Sequence, residues 1–123
     1  MRLDPKCIRD ILITIEENTD FSSVWSFNSD CVKSGRLCSY TYKTVIYHIS
    51  QCSKSGLIDG CVFYDMGDFG IVSDLSPYGH ELLANIRIET VWNKLKDKTS
   101  LSIPVLFNLA KDLALSYFQG MIQ

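Results

Sequence analysis

The feature that most constrains this chain is the junction at Gly56, where a helical period stops and a β pattern begins with no linker between them. From Thr41 to about Ser55, Val45, Ile49 and Cys52 fall on one stripe with Ile46 beside it, the spacing that gathers an apolar helix face toward a core. Gly56 supplies the left-handed stop that ends such a helix. Leu57-Ile58 follows at once. Residues 57–64 and 69–75 read as two strands, with Val62, Tyr64, Ile71 and Leu75 at β-prone positions and Met66-Gly67-Asp68 in the turn. A helix feeding directly into a hairpin points to the α+β class.

The flanking segments extend this order. Residues 5–17 are predicted helical because Ile8, Ile11, Leu12 and Ile15 recur at helical spacing, with Asp4 as cap and Pro5 in the first turn. Asn18 to Tyr40 has no clean period and is rich in Ser, Asn, Asp and Gly, so it reads as an irregular connection with at most a short strand near Val24 to Phe27. Ser76-Pro77 starts a helix carried by Gly79, Leu82, Leu83 and Ile86 into Val91, Trp92 and Leu95, with a bend near Ile88 to Thr90. A last helix starts at Ser102, has Pro104 in its first turn, and runs to about Gln119. The expected architecture is a winged helix-turn-helix-like domain with additional C-terminal helices. It is expected to be one domain over 1–123, with a helix and hairpin core in 1–75 and helices in 76–123. A complete motif also needs a positioning helix before Thr41, for which Asp30 to Tyr40 offers only a poor candidate interrupted by Gly35.

Met1-Arg2-Leu3-Asp4, Ile8-Arg9-Asp10-Ile11-Leu12, Ile15-Glu16-Glu17, Tyr47-His48, Gly56-Leu57-Ile58, Gly79-His80-Glu81 and Val91-Trp92-Asn93-Lys94 are a set of residues that resembles the phage and prophage family called domain of unknown function 2513. The resemblance covers almost the whole chain, and departs from the family pattern at Pro77-Tyr78. It implies a winged-helix-like fold and a mobile-element origin, and brings no activity with it.

The residues give no sign of catalysis. His80-Glu81-Leu82-Leu83-Ala84 has the start of a zinc-binding HExxH helix, but Ala84 stands where the second histidine would be, and a metal site needs three or four ligands. Gly67-Asp68-Phe69-Gly70 sits in the hairpin turn and lacks the Lys and Ser/Thr of a phosphate loop. Cys7, Cys31, Cys38, Cys52 and Cys61 stand 24, 7, 14 and 9 residues apart, which fits neither a zinc site nor a disulfide framework. They are expected to be small buried hydrophobes in a reducing compartment. Catalytic residues, metal and cofactor are therefore all expected to be absent. Apolar runs such as Ile11-Leu12-Ile13 are soon broken by charge, so a membrane span is not expected and the cytoplasm is the expected location.

Charge is unevenly distributed. Residues 31–56 carry Lys33, Arg36, Lys43 and Lys54 with no acid, while residues 57–81 carry Asp59, Asp65, Asp68, Asp74 and Glu81 with no base. Local cations, not net charge, drive phosphate binding. The helix side opposite Val45, Ile49 and Cys52 presents Lys43, Tyr47, Ser50 and Lys54, flanked by Thr44, His48 and Gln51. Lys43, Thr44, Tyr47, His48, Gln51 and Lys54 are accordingly the candidate nucleic-acid-binding set, with double-stranded DNA as the expected partner. The acidic hairpin would repel phosphate unless it turned away from the duplex.

Protein interaction is the rival class, either self-association or capture of a host protein. The last helix carries Leu106, Leu109, Ala110, Leu113 and Tyr117 on one side and Phe107, Ala114, Phe118 and Met121 on another. A helix apolar on two sides is expected to be buried on both. Phe107, Ala114, Phe118 and Met121 are the expected interface of a homodimer.

Overall fold

The computed structural model describes residues 1–122. Among the described residues it is an α+β fold of five α-helices, a three-stranded antiparallel sheet and a two-stranded antiparallel pair. Helix α1 (Pro5–Asn18) starts as expected: the Asp4 carboxylate accepts from the Lys6 N–H at 2.9 Å and Pro5 occupies the first turn. Its Cys7, Ile8, Ile11, Leu12, Ile13 and Ile15 are buried, and it packs against the second and third helices and the last strand.

Strand β1 (Trp25–Asn28) alternates two buried rings, Trp25 and Phe27, with exposed Ser26 and Asn28. Burying each ring contributes roughly 2–3 kcal/mol. The positioning helix does not form. Residues Ser29–Val32 and Gly35–Leu37 make two short 3₁₀ turns instead. Ser34 is extended and Gly35 has φ 76°, which breaks any continuous helix, and only Leu37 is buried there. The segment is fastened from outside by Arg36 to Glu17 at 2.5 Å and by the Tyr40 hydroxyl to Asp10 at 2.7 Å.

Helix α2 (Tyr42–Lys54) ends with the Leu57 N–H donating to the Cys52 carbonyl at 2.9 Å across Gly56, φ 77°. The hairpin follows directly. Its arms are β2 (Ile58–Asp59) with β3 (Val62–Tyr64), and β4 (Phe69–Val72) with β5 (Asp74–Leu75). β2 pairs with β5 and β3 with β4 in one continuous register, Ile58 opposite Leu75 and Tyr64 opposite Phe69. The ladder is interrupted where Gly60 takes φ 62° against Ser73. β1 adds to β4 on the other side, Trp25 opposite Val72, giving the order β1-β4-β3.

Helices α3 (Pro77–Ile86) and α4 (Glu89–Leu95) are separated at Arg87-Ile88, at the start of the bend expected near Ile88 to Thr90 and one residue ahead of it. The Arg87 guanidinium donates to Glu16 of α1. Helix α5 (Ile103–Ile122) packs on α3 and α4. Its expected division into two covered faces does not hold. The division runs along the axis: Ile103, Leu106, Ala110 and Ala114 are buried, whereas Leu115, Tyr117, Phe118 and Met121 are exposed, because the body of the molecule ends beneath Ala114.

All five cysteines are free thiols. Burial pushes the Cys7 thiol up, helped by neighbouring Asp4, and pushes Cys52 up to about 12, so neither offers a thiolate at neutral pH. Cys38 is exposed. A thiol reagent at pH 8 is expected to modify Cys38 first and Cys7 and Cys52 only on denaturation. Fast labelling of Cys52 in the native protein would contradict the packing described.

Candidate nucleic-acid interface

α2 is held in place by its apolar side and by its cap, where the Thr41 hydroxyl accepts from the Thr44 N–H at 3.2 Å. Val45, Ile49 and Cys52 are fully buried. Lys43 and Lys54 are exposed, and Tyr47, Ser50 and Gln51 are half-buried along the same side. Eleven residues of helix separate the two lysines by about 16 Å. Neither lysine has an acid within ion-pair distance among the described residues, unlike Lys33, paired with Asp30, and Arg36, paired with Glu17. The expected lysine-bearing face is therefore open.

Two members of the candidate set require correction. His48 is 1% exposed. Its Nδ1 meets the Thr44 carbonyl at 2.8 Å and its Nε2 accepts from the Asp4 N–H at 2.9 Å. These bonds specify a neutral imidazole protonated on Nδ1. Such a ring ties the start of α1 to α2 and cannot reach a groove. Thr44 is spent differently: its hydroxyl is 2.9 Å from that of Thr41 in the helix cap. The signal for His48 was present, since Val45, His48, Ile49 and Cys52 fall at i, i+3, i+4 and i+7, and its polar identity masked it.

In the dimer set, Ala114 is 3% exposed and belongs to the chain's own core. Phe107 is half-buried with its edge toward Tyr78 at 6.0 Å. Only Phe118 and Met121 are open to solvent.

The hairpin does not turn away from α2. Its tip holds three successive left-handed residues, Asp65 (φ 49°), Met66 (φ 59°) and Gly67 (φ 95°). The Tyr42 hydroxyl of α2 donates to the Gly67 carbonyl at 2.7 Å, and burial raises the pKa of that phenol and keeps it a donor. Between tip and helix lies a groove of about 440 Å³ lined by Met1, Lys43, Ile46, Tyr47, Phe63 and Met66, among others. Asp65 and Asp68 stand exposed beside it. The groove was not anticipated, since nothing in the sequence joins Met1 to Phe63.

His80, in the first turn of α3, sits 3.8 Å from Asp74 of the hairpin and is exposed with Glu81. Among the described residues no three His, Cys, Asp or Glu side chains gather where they could hold a metal. No helix among them is long and apolar enough to cross a membrane.

Residues 2–102, from the N-terminal run through α4, match the family described as hypothetical protein DUF2513. The chain belongs to the DUF2513 family. This DUF2513 chain is also 27% identical over 117 residues to an uncharacterised protein of Haemophilus influenzae, covering 94% of this chain and 93% of that one. No solved structure matches the chain. In this DUF2513 protein α5 lies beyond the matched residues, while α2, the hairpin and the groove between them lie within.

Proposed function

We propose that this chain is a non-enzymatic winged-helix module that binds duplex DNA in a regulatory role through the outer side of α2. The order α1, β1, α2, hairpin, with β1 added beside the second hairpin arm, supports the winged-helix reading, with two 3₁₀ turns in place of its positioning helix. The observation that carries the DNA reading is the open line Lys43, Tyr47, Ser50 and Lys54, with Gln51 beside it, whose lysines have no acidic partner among the described residues. Lysine and tyrosine suit phosphates and glutamine suits adenine.

The tethered acidic tip limits the strength of this contact. With Asp65 and Asp68 beside α2, phosphates are met by the helix alone, and two cations imply a slope of log K against log salt of about −2. Binding of this kind is strong only at low salt. The full chain is expected to be retained on duplex DNA at low ionic strength and released by moderate salt, and the Lys43→Glu/Lys54→Glu variant is expected to lose retention. Absence of retention for the wild type at the lowest salt would reject DNA as the partner.

A second reading has its own support. The apolar groove along Ile46, Tyr47, Phe63 and Met66, with Met66 fully exposed at its rim, suits a protein partner better than a phosphate backbone. Wild-type retention that ignores the two lysines but falls with Met66→Asp would favour that partner.

A further inference from the structure

We propose that the free edge of β3 takes up an extended segment of another protein as an added strand, apolar at its centre and basic toward both ends. This rests on the second reading above, the groove as a protein site, and names its partner. In the order β1-β4-β3 one side of β3 faces no strand, and no backbone group of Val62–Tyr64 bonds outside the β4 ladder among the described residues. Native edges of this kind are usually blunted by a lysine or proline within the strand, or by a covering loop. Val62, Phe63 and Tyr64 include neither residue and are 42%, 37% and 43% exposed. Their unpaired N–H and C=O groups supply the main-chain bonds of strand addition. The side chains alternate between two apolar surfaces. Phe63 lies on the Phe27 side of the sheet, ring centroids 5.6 Å apart, and opens onto the groove with Ile46, Tyr47 and Met66. Val62 and Tyr64 lie on the opposite face, where Tyr64 stacks on Phe69. An added strand therefore sets alternate side chains in the groove and against that aromatic pair.

Charge selects the occupant. Asp59 stands before β3, Asp65 follows it directly, and Asp68 lies beyond Asp65 at the tip, all three exposed. None of them has a cation within ion-pair distance among the described residues. Asp59 moreover stands opposite Asp74 in the ladder, a like-charge pairing that costs stability until a cation is supplied. The His80 ring, 3.8 Å from Asp74, is the one base near it, and residues 57–81 hold no lysine or arginine. These acids oppose a second copy as the occupant. Antiparallel pairing of two β3 strands about Phe63 sets Asp59 of each copy opposite Gly67 of the other, next to Asp68. A segment with cations at its ends is attracted instead. Asp59 and Asp65 are six residues apart, so its basic residues are spaced by about 20 Å of extended chain, with apolar side chains between them.

The probe is a blocked, dye-labelled peptide, Lys-Thr-Val-Val-Val-Thr-Lys, titrated with the full chain up to about 1 mM at low ionic strength and followed by fluorescence anisotropy. It is expected to bind with a Kd below about 1 mM. Its Glu-Thr-Val-Val-Val-Thr-Glu counterpart is expected to bind at least about tenfold more weakly, and so is a version N-methylated on every valine, which lacks the ladder donors. On the chain, Asp59→Asn/Asp65→Asn is expected to abolish the preference for lysine ends without disturbing the tip, because asparagine suits the left-handed backbone at Asp65. No binding of the lysine peptide overturns the inference, as does equal binding of the glutamate peptide. Binding that falls with Met66→Asp but ignores N-methylation also overturns it, and leaves the groove a protein site without strand addition. Binding that needs the backbone N–H groups but ignores Met66→Asp removes the groove from the site, and with it the reading on which this inference rests. A wild type whose mass doubles from 14.0 kDa, and whose doubled form no longer takes the peptide, gives the edge to a second copy and overturns the choice of partner.

Discussion

Gly79→Ala is expected to lower stability by about 3 kcal/mol, as an overpacking substitution against fixed backbone. The sign is informative, because at an ordinary helical position the same change would add about 1 kcal/mol of helix propensity. A Cβ on Gly79 would lie 2.0 Å from the Leu57 carbonyl oxygen and 3.1 Å from its carbon. Neither side can withdraw. The Leu57 N–H is bonded to the Cys52 carbonyl at 2.9 Å and its carbonyl accepts from the Ser76 N–H at 3.0 Å. The Ser76 hydroxyl, 4% exposed as a residue, donates to the Gly56 carbonyl and accepts from the Gly79 N–H at 3.0 Å. Methyl addition must therefore separate α3 from the end of α2 or tear this cluster. Denaturant unfolding measures the loss as a lower midpoint with little change in slope. A variant as stable as the wild type would show that the two backbones are not in contact.

The second large effect is expected at His48. His48→Ala removes a buried ring and leaves the Asp4 N–H without its acceptor. Cavity formation costs about 2–5 kcal/mol and an orphaned donor about 1–3, with overlap between them, so a net loss of about 3 kcal/mol is expected. Lys54→Ala, two turns along the same helix, is expected to stay within about 0.5 kcal/mol of wild type because its side chain is exposed. The pair separates two roles for α2. Stability should follow His48, and retention on DNA should follow the lysines. A His48→Ala protein with wild-type stability and lost retention would return His48 to the reading face.

Much of the architecture was legible because periodicity records burial. α1, α2, both hairpin arms, the break between α3 and α4 and the start of α5 all lie where apolar spacing, capping residues and glycine put them. The short strand expected near Val24 to Phe27 stands at Trp25–Asn28, but its partner strand was not legible, because that is set by the sheet and not by its own sequence. The burial of His48 was readable from its place at i+3 on the stripe Val45, Ile49 and Cys52, and its polar identity alone put it with the outer side. On α5 the periodicity is uniform to Met121, and only the extent of the body beneath decides that Ala114 is covered and Tyr117 is not. The lysines of the candidate site were readable. Their neighbours were not, since the tie from Tyr42 to Gly67 brings the acidic tip close to them through a single hydroxyl.

The order of strands in the sheet also has a consequence for how the polypeptide is made. Trp25 and Phe27 leave the ribosome early, yet the strand they dock on ends at Val72. The β3–β4 hairpin can zip within microseconds once both arms exist, but the first strand must close a long loop through α2 before its rings are covered. Throughout that interval two large aromatic side chains are bare on a nascent chain. Synthesis therefore passes through a sticky stage that ends only with the second arm of the hairpin, and assistance from a holdase would matter most there.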